Sequence, residues 1–427
     1  MAGTEPISYQ QVGARVRLAP LRLLFLLPFA PRLDATQGGS RSVAQLLTNL
    51  ANRHRIALLY LHAPIDPPLD PVLQERCELV EEVIRPNPGV SFSEGRSRIS
   101  SLLRGMPLWV AGCSVAAYSD RVRTLARTWQ PEIVQIEYHV MAQYLSALEG
   151  CPAPRVLTEH EPGFGAARDL WQSDRGLGRA KHYLDMLAWK RFEQAITKQV
   201  QAIVVFTERD RETLAPIVGE TPIIRIPLTT TLPEQPLNSY GDDSLGLLFI
   251  GNFIHPPNVD AAMRLIGAIF PQVQAHISSV VLHIVGDKPT AQMAKLAKKN
   301  IVVTGRVPDV TPYLNRAAVV VVPLRMGGGM RVKVLEALAA GKAVVASPLA
   351  IEGLDLVDGE HVILAETDQQ FSEAIVQLLA HTERRTSLAA CARAWACANL
   401  GWERPIAAHE RLYESLIEGS RVKRQAE

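Results

Sequence analysis

The first half of the chain is paced by short apolar runs with little polar alternation: LRLLFLLPF, IALLYLHA, IVQIEY, PRVLTEH, AIVVFTE and PIIRIPL. Runs of this kind, rich in Leu, Ile and Val on consecutive positions, suit strands covered on both faces, as in parallel sheets flanked by helices. Amphipathic helical stretches fall between them, SRSVAQLLTNLANR and YLDMLAWKRFEQAITKQ among them. The second half repeats the grammar with GLLFIGNF, SVVLHIVGD, IVVTGRV, AVVVVPL, KAVVASP and HVILAET, and with VDAAMRLIGAIFPQV and QFSEAIVQLLAHT as its clearest helices. Between the halves, TTTLPEQPLNSYGDDSLG (229–246) carries Pro, Gly, Asn and Asp without apolar periodicity and reads as a linker. The pattern predicts an α/β protein of two Rossmann-like, doubly wound parallel-sheet domains facing a central cleft. The expected divisions are a loose terminus over 1–20, a first domain over 21–228, the linker, a second domain over 247–400, and a final stretch over 401–427. That final stretch, with WERPIAAHERLYESLIE, reads as an amphipathic helix.

At 427 residues the chain exceeds one ordinary core, which agrees with two domains. Its formal net charge of +2 gives no bulk electrostatic case for nucleic acid, so none is expected as a partner. The five cysteines are scattered, with no CxxC spacing, and read as free thiols of a reducing cytoplasm. No apolar run reaches the ~18–20 residues needed to span a bilayer. PLRLLFLLPFAP is short and bounded by prolines, and reads as a buried strand rather than a signal segment.

In open α/β sheets, ligands bind outside the carboxyl ends of the strands, so the strand-to-helix loops are where chemistry is expected. RMGGGMRVKVLEALAAG (325–341) has such a loop feeding a helix that ends at Gly341. Its glycines, Gly328 and Gly329 with Met330 after them, would place unpaired N–H groups at a helix N-terminus, a setting for an anion. Arg331 and Lys333 oppose the helix dipole there unless an anion compensates them; Arg325 is a weaker candidate. Glu336 lies within an apolar stretch and needs a partner. In the first half, Gly38 and Gly39 stand between strand and helix, where they would allow close backbone approach or simply a tight turn. His160 ends PRVLTEH beside Glu159 and Glu161, and His139 holds the corresponding place in IEYHVMAQYL. A neutral imidazole there can serve a substrate hydroxyl, whereas a surface-loop histidine would be idle; function is assigned to His160 and the idle role to His139. Thr207 followed by Asp210 reads as a helix cap. No metal spacing is seen and no metal is expected to be required.

GGGMRVKVLEALAAGKAVVASPLAIEGL closely resembles the donor-binding segment of glycosyltransferase family 4, the retaining glycosyltransferases of the two-domain GT-B fold. FIGNFIHPPNVDAAMRLI, LHIVGD, VTGRVPDVTPYLNRAAVVVVPL and QGGSRSVAQLLTNL fit it as well, and the subgroup it is most similar to is that of exopolysaccharide-type transferases with a GGGxRxK loop. The resemblance implies a nucleoside-diphosphate-sugar as donor substrate, with no cofactor, bound mainly by the second domain, and a C-terminal helix packed back on the first. It implies that Glu336 holds the nucleotide ribose, that His160 contacts the donor sugar near its reacting carbon, and that Gly38, Gly39, Gly251, Asn252, Gly328, Gly329, Met330, Arg331 and Lys333 line the donor site. Two departures stand out. The family's Glu-x7-Glu signature has Gly328 at its first position, and the Arg and Lys usual after the first strand of the second domain are missing, with Asn252 and Asn258 in that region. Arg331 and Lys333 are then the nearest cations for a diphosphate.

The expected activity is transfer of a sugar, with retention, to a saccharide or lipid-linked acceptor in exopolysaccharide or cell-surface glycan synthesis. The expected site of action is the cytoplasm, with a peripheral contact at the inner face of the membrane allowed for. The rivals are a sugar-nucleotide-binding or assembly protein without catalysis, and an epimerase or phosphorylase on the same scaffold.

Overall fold

The apolar runs pair into two all-parallel sheets in a computed structural model that describes residues 19–35, 38–85, 105–173, 177–238, 246–327 and 332–426. The first sheet holds β1 (Arg22–Leu27), β2 (Arg55–His62), β3 (Leu79–Ile84), β4 (Ile133–Glu137), β5 (Arg155–Glu159), β6 (Ala202–Val205) and β7 (Ile223–Arg225), in the order 3-2-1-4-5-6-7. The second holds β8 (Gly246–Ile250), β9 (Val281–Val285), β10 (Ile301–Val303), β11 (Ala317–Val322), β12 (Ala343–Ala346) and β13 (Ile363–Leu364), in the order 10-9-8-11-12-13. Each order reverses direction once, beside β1/β4 and beside β8/β11, and those are the places where loops splay apart to admit a ligand.

β1 shows why the runs lack alternation. Leu24 and Leu26 enter one cluster with Val122, Leu125 and Leu148, while Leu23, Phe25 and Leu27 enter another with Val43, Leu47 and Leu50 on the opposite face. Both faces are covered, so both need apolar side chains. β3 departs from the sequence-based expectation, which had no strand there. Its Glu81 and Glu82 interrupt the apolar run, and they are tolerated because β3 is an edge strand: Glu81 pairs with Arg121 and Glu82 with His62.

In the second sheet, the turn after β9 comes against the end of β8. Gly286 has φ +146°, and a Cβ built on it would lie 1.7 Å from the carbonyl oxygen of Gly251. No side chain fits there. The ends of β8 and β9 are thereby held close together, with β8 also flanking the switch point at β8/β11.

After the helix Thr382–Asn399, whose Leu388, Ala389, Ala392 and Ala396 join the second domain's core, the chain turns at Gly401. The helix Glu403–Ala426 then lies on the first domain, with Ile406, Leu412 and Tyr413 in the cluster that includes Leu23 and Phe25. The two passages between domains touch: Gly401 N–H donates to Thr229 Oγ1 at 2.8 Å. Among the described residues no helix is long and apolar enough to cross a membrane.

Candidate active site between the sheets

Neighbouring strands β4 and β5 each end in an acid and a histidine, and the structure crosses them. Glu137 pairs with His160 at 2.6 Å, and His139 pairs with Glu159 at 2.5 Å. All four side chains are at most 3% exposed. Neither histidine sits on an exposed surface loop, so the idle surface role expected of His139 is corrected. Its strand runs straight into a short helix, His139–Leu148, that carries the ring inward.

The His160 pair is built on a chain of polar groups. Glu137 Oε1 accepts from Gln135 Nε2 at 3.1 Å and from Thr158 Oγ1 at 3.2 Å, and Gln135 in turn accepts from the Tyr413 hydroxyl at 3.1 Å. With Glu137 Oε2 as acceptor, a neutral His160 carries its proton on Nε2 and leaves Nδ1 as a lone-pair acceptor. That Nδ1 is buried and has no protein partner. The ring is held flat against Tyr138, with centroids 3.7 Å apart and planes 3° from parallel, and edge-on to Phe206. Tyr138 has φ +68°, a conformation costly for a residue with a Cβ. The strain accompanies a stack that fixes the imidazole plane.

The His139 pair is set differently. Its ring packs edge-on against Trp189 and Trp109, and Glu193 lies close by. Burial alone would lower the His139 pKa, but the charge and hydrogen bond of Glu159, with Glu193 and Glu161 behind it, hold it above its ordinary value. Burial and the nearby Glu159 push the Glu193 carboxyl up to about 8. Glu193 also accepts the Gly163 N–H at 2.6 Å and the Phe164 N–H at 3.3 Å, closing the start of the helix Gly163–Ser173. His139, Glu159 and Glu193 have ligand atoms within 4.8 Å of one another, a spacing that would admit a metal ion. Burial keeps Glu193 toward its protonated form and its oxygens accept from backbone N–H groups, which favours a proton-sharing support under the strand ends.

Across the cleft, the helix Gly38–Leu50 meets the helix Val332–Ala339. A Cβ on Gly38 would lie 2.8 Å from Val332 Cγ2, so the glycine makes room for the other domain rather than only for a turn. Gly39 lies in the same first turn. Arg41 Nη2 reaches Glu336 at 2.6 and 2.8 Å from its two oxygens. Burial raises the Glu336 pKa, and Arg41 and Lys333 pull it back. Lys333 Nζ lies 2.5 Å from Asn258 Oδ1 and 4.6 Å from the centre of the Phe249 ring. Gly251 leads from β8 to Asn252, whose side-chain Nδ2 is buried without a partner. Arg325 is taken up by Asp260, at 2.5 and 3.0 Å. Gly328, Gly329, Met330 and Arg331 lie outside the described residues. Just before them, Gly327 has φ +97°, and a Cβ there would strike Pro257 at 2.7 Å. The glycine run thus begins with a residue that must be glycine on both counts.

Sequence reasoning missed three contributors. Arg41 follows Gly38-Gly39-Ser40 in a helix's first turn, where a cation opposes the dipole just as Lys333 does. Arg209, within the cap of Thr207, whose Oγ1 accepts the Asp210 N–H as expected, donates to Gly327 O at 3.0 Å and to Asp169. Tyr138 carries no signal in one sequence, since an aromatic at a strand end is ordinary.

The Arg41–Glu336 and Arg209–Gly327 contacts join the loops and helices that follow the carboxyl ends of two parallel sheets, and solved structures share that plan. The fold is GT-B. Sucrose-phosphate synthase from Thermosynechococcus elongatus superposes with a TM-score of 0.66 at 16% identity, covering 93% of this chain and 100% of that one. WaaG, a glycosyltransferase involved in lipopolysaccharide biosynthesis, gives 0.62 at 16% identity, with 92% and 99% covered. HepE from Anabaena, solved with UDP and glucose, gives 0.61 at 12% identity, with 93% and 99% covered. Residues 244–381 of this GT-B chain, which include the second sheet, match the family described as glycosyl transferases group 1. No curated protein matches the chain.

Proposed function

We propose that this protein is a retaining glycosyltransferase of family 4, exopolysaccharide type, which moves a sugar from a nucleoside-diphosphate-sugar to a saccharide or lipid-linked acceptor in cell-surface glycan synthesis. The observation that carries the reading is the match of residues 244–381 to the glycosyl transferases group 1 family, in a segment whose His255 lies within electrostatic reach of Glu161, next to His160. The solved structure of HepE with UDP and glucose supports a nucleotide-sugar donor, since that protein shares the fold. Glu336 takes the ribose hydroxyls, and Lys333, with Arg331, balances the diphosphate. The backbone of Gly39, Gly251, Asn252, Gly328, Gly329 and Met330 lets the donor come close, while Gly38 lets Val332 of the second domain pack against it.

His160 is the catalytic residue in this reading. Its free Nδ1 accepts a donor-sugar hydroxyl, and its imidazole, held by Glu137, stabilises positive charge growing at the sugar ring. No enzymic nucleophile is needed if the acceptor attacks from the face the diphosphate leaves, with the leaving phosphate taking the acceptor's proton. No metal is required, and a peripheral membrane contact would bring a lipid-linked acceptor to the cleft. The test is a panel of UDP- and GDP-sugars assayed for hydrolysis and for transfer to saccharide and lipid-diphosphate acceptors, with and without EDTA. Turnover that survives EDTA is expected; donor binding without turnover on any acceptor would favour a binding or assembly protein instead.

A further inference from the structure

The ion pair between Arg41 and Glu336 joins the two domains at the place where the donor must sit. Each side chain is at most 15% exposed. Glu336 lies on a helix whose other residues from Val332 to Ala339, Lys333 apart, are all buried and apolar. Arg41 offers one nitrogen, Nη2, to the carboxylate, while its Nε is buried with no partner. A buried pair held through one nitrogen, with a second donor left unsatisfied, is a poor device for stability, because desolvation costs about as much as the attraction returns. It is better suited to a pair that changes partners.

We propose that Arg41 is a donor-binding residue, and that its contact with Glu336 is a latch which a nucleoside diphosphate opens by taking both halves. The inference rests on the ribose role of Glu336 given above. In the unliganded protein the two charges satisfy each other across the cleft. When a nucleoside diphosphate enters, the ribose hydroxyls donate to the carboxylate, and the guanidinium, released, turns to the diphosphate. Both groups keep hydrogen-bond partners throughout. Arg41 stands in the first turn of the helix Gly38–Leu50, beside the start of the helix Val332–Ala339, so two helix N-termini and this cation converge on one place. The second domain has asparagines, Asn252 and Asn258, where a basic pair would otherwise neutralise a diphosphate, and Lys333 rests on Asn258. Arg41 would add to Lys333 a cation from the opposite domain, so that donor binding draws on both domains.

A latch and a plain structural bridge differ in the sign of one effect. Removing a latch costs the diphosphate its cation but frees Glu336 for ribose. The experiment measures, by titration calorimetry, binding of UDP, GDP and ADP and of the matching nucleosides to wild type, Arg41→Ala, Arg41→Lys and Glu336→Gln. For whichever diphosphate binds tightest, Arg41→Ala is expected to weaken it at least tenfold while its nucleoside binds as well as before or a few-fold tighter. Arg41→Lys should recover part of the diphosphate loss, and Glu336→Gln should weaken nucleoside and diphosphate alike. Equal weakening of both ligands in Arg41→Ala, or undiminished diphosphate binding, overturns the latch while leaving the glycosyltransferase reading standing. Wild-type protein that binds none of the three diphosphates overturns that reading, and the latch with it. If Arg41→Ala proves unstable, the same comparison in Arg41→Lys decides: unequal losses for diphosphate and nucleoside support the latch, and equal losses refute it.

Discussion

Glu137→Gln is the substitution that most narrowly probes the His160 site. It keeps the size of the side chain and removes one charge from a residue with no exposed surface. In the wild type, Glu137 Oε2 accepts from His160 Nε2 at 2.6 Å, while Oε1 accepts from Gln135 and Thr158. A glutamine amide can keep either set of bonds but not both. If its oxygen stays with Gln135 and Thr158, its NH2 group faces His160 Nε2, and two donors oppose each other. The imidazole then moves its proton to Nδ1, the atom that was free to accept from a substrate. A hydrogen bond to a charged group is worth about 1.5–3 kcal/mol. At about 1.4 kcal/mol per factor of ten, kcat should fall about ten- to 150-fold. The donor KM should change little if, as proposed, the bond acts on the reacting sugar and not on the nucleotide. The assay is steady-state kinetics on the turned-over donor, with a melting curve to show that the variant is folded. Wild-type kcat in a folded Glu137→Gln protein would remove the pair from the mechanism, and His160→Ala, which should lower kcat still further, would settle whether the ring itself matters.

The remaining predictions concern the frame. Gly286→Ala should cost more than about 3 kcal/mol or prevent soluble expression, since its Cβ would lie 1.7 Å from Gly251 O, whereas Gly267→Ala, open to solvent within a helix, should raise the melting temperature slightly. Equal melting temperatures for those two variants would refute the close-approach argument. For Glu193, raised from 4.5 to about 8, the folded state holds a proton the unfolded state gives up, so its share of stability is full below pH 4.5 and is lost as pH rises through 8. Glu193→Gln keeps the acceptor for Gly163 and should flatten the melting temperature over that window; an unchanged pH profile would show that Glu193 is ionised in the fold. Prolonged EDTA treatment, followed by elemental analysis, should leave activity and melting temperature unchanged, and a stoichiometric metal whose removal lowers either would overturn the proton-sharing account of His139, Glu159 and Glu193.

The two sheets were legible because a strand covered on both faces must be apolar at consecutive positions, as Leu23 to Leu27 are. β3 was not, because an edge strand can carry Glu81 and Glu82 if Arg121 and His62 meet them, and those partners are remote in sequence. His160 was legible as a residue at a strand end. Its partner was not, since Glu137 reaches it only through the alignment of β4 with β5, which places Glu137 opposite Thr158. Arg41 was missed for a similar reason: its place in a helix's first turn is a weak local mark, and its meaning comes from Glu336, which another domain delivers. Glu336 itself announced a need for a partner by lying in an apolar helix. Its partner came from across the cleft.

The most direct test of glycosyl transfer by this protein is one proton NMR time course. The purified protein is incubated with the nucleotide-sugar that it turns over fastest and a matching acceptor, and the anomeric signal of the first product is read before any equilibration. A new glycosidic bond with the same anomeric configuration as the donor, formed at a rate that falls in His160→Ala, is the predicted result. Product of inverted configuration would contradict the retaining mechanism, and no product from any donor–acceptor pair would contradict glycosyl transfer itself.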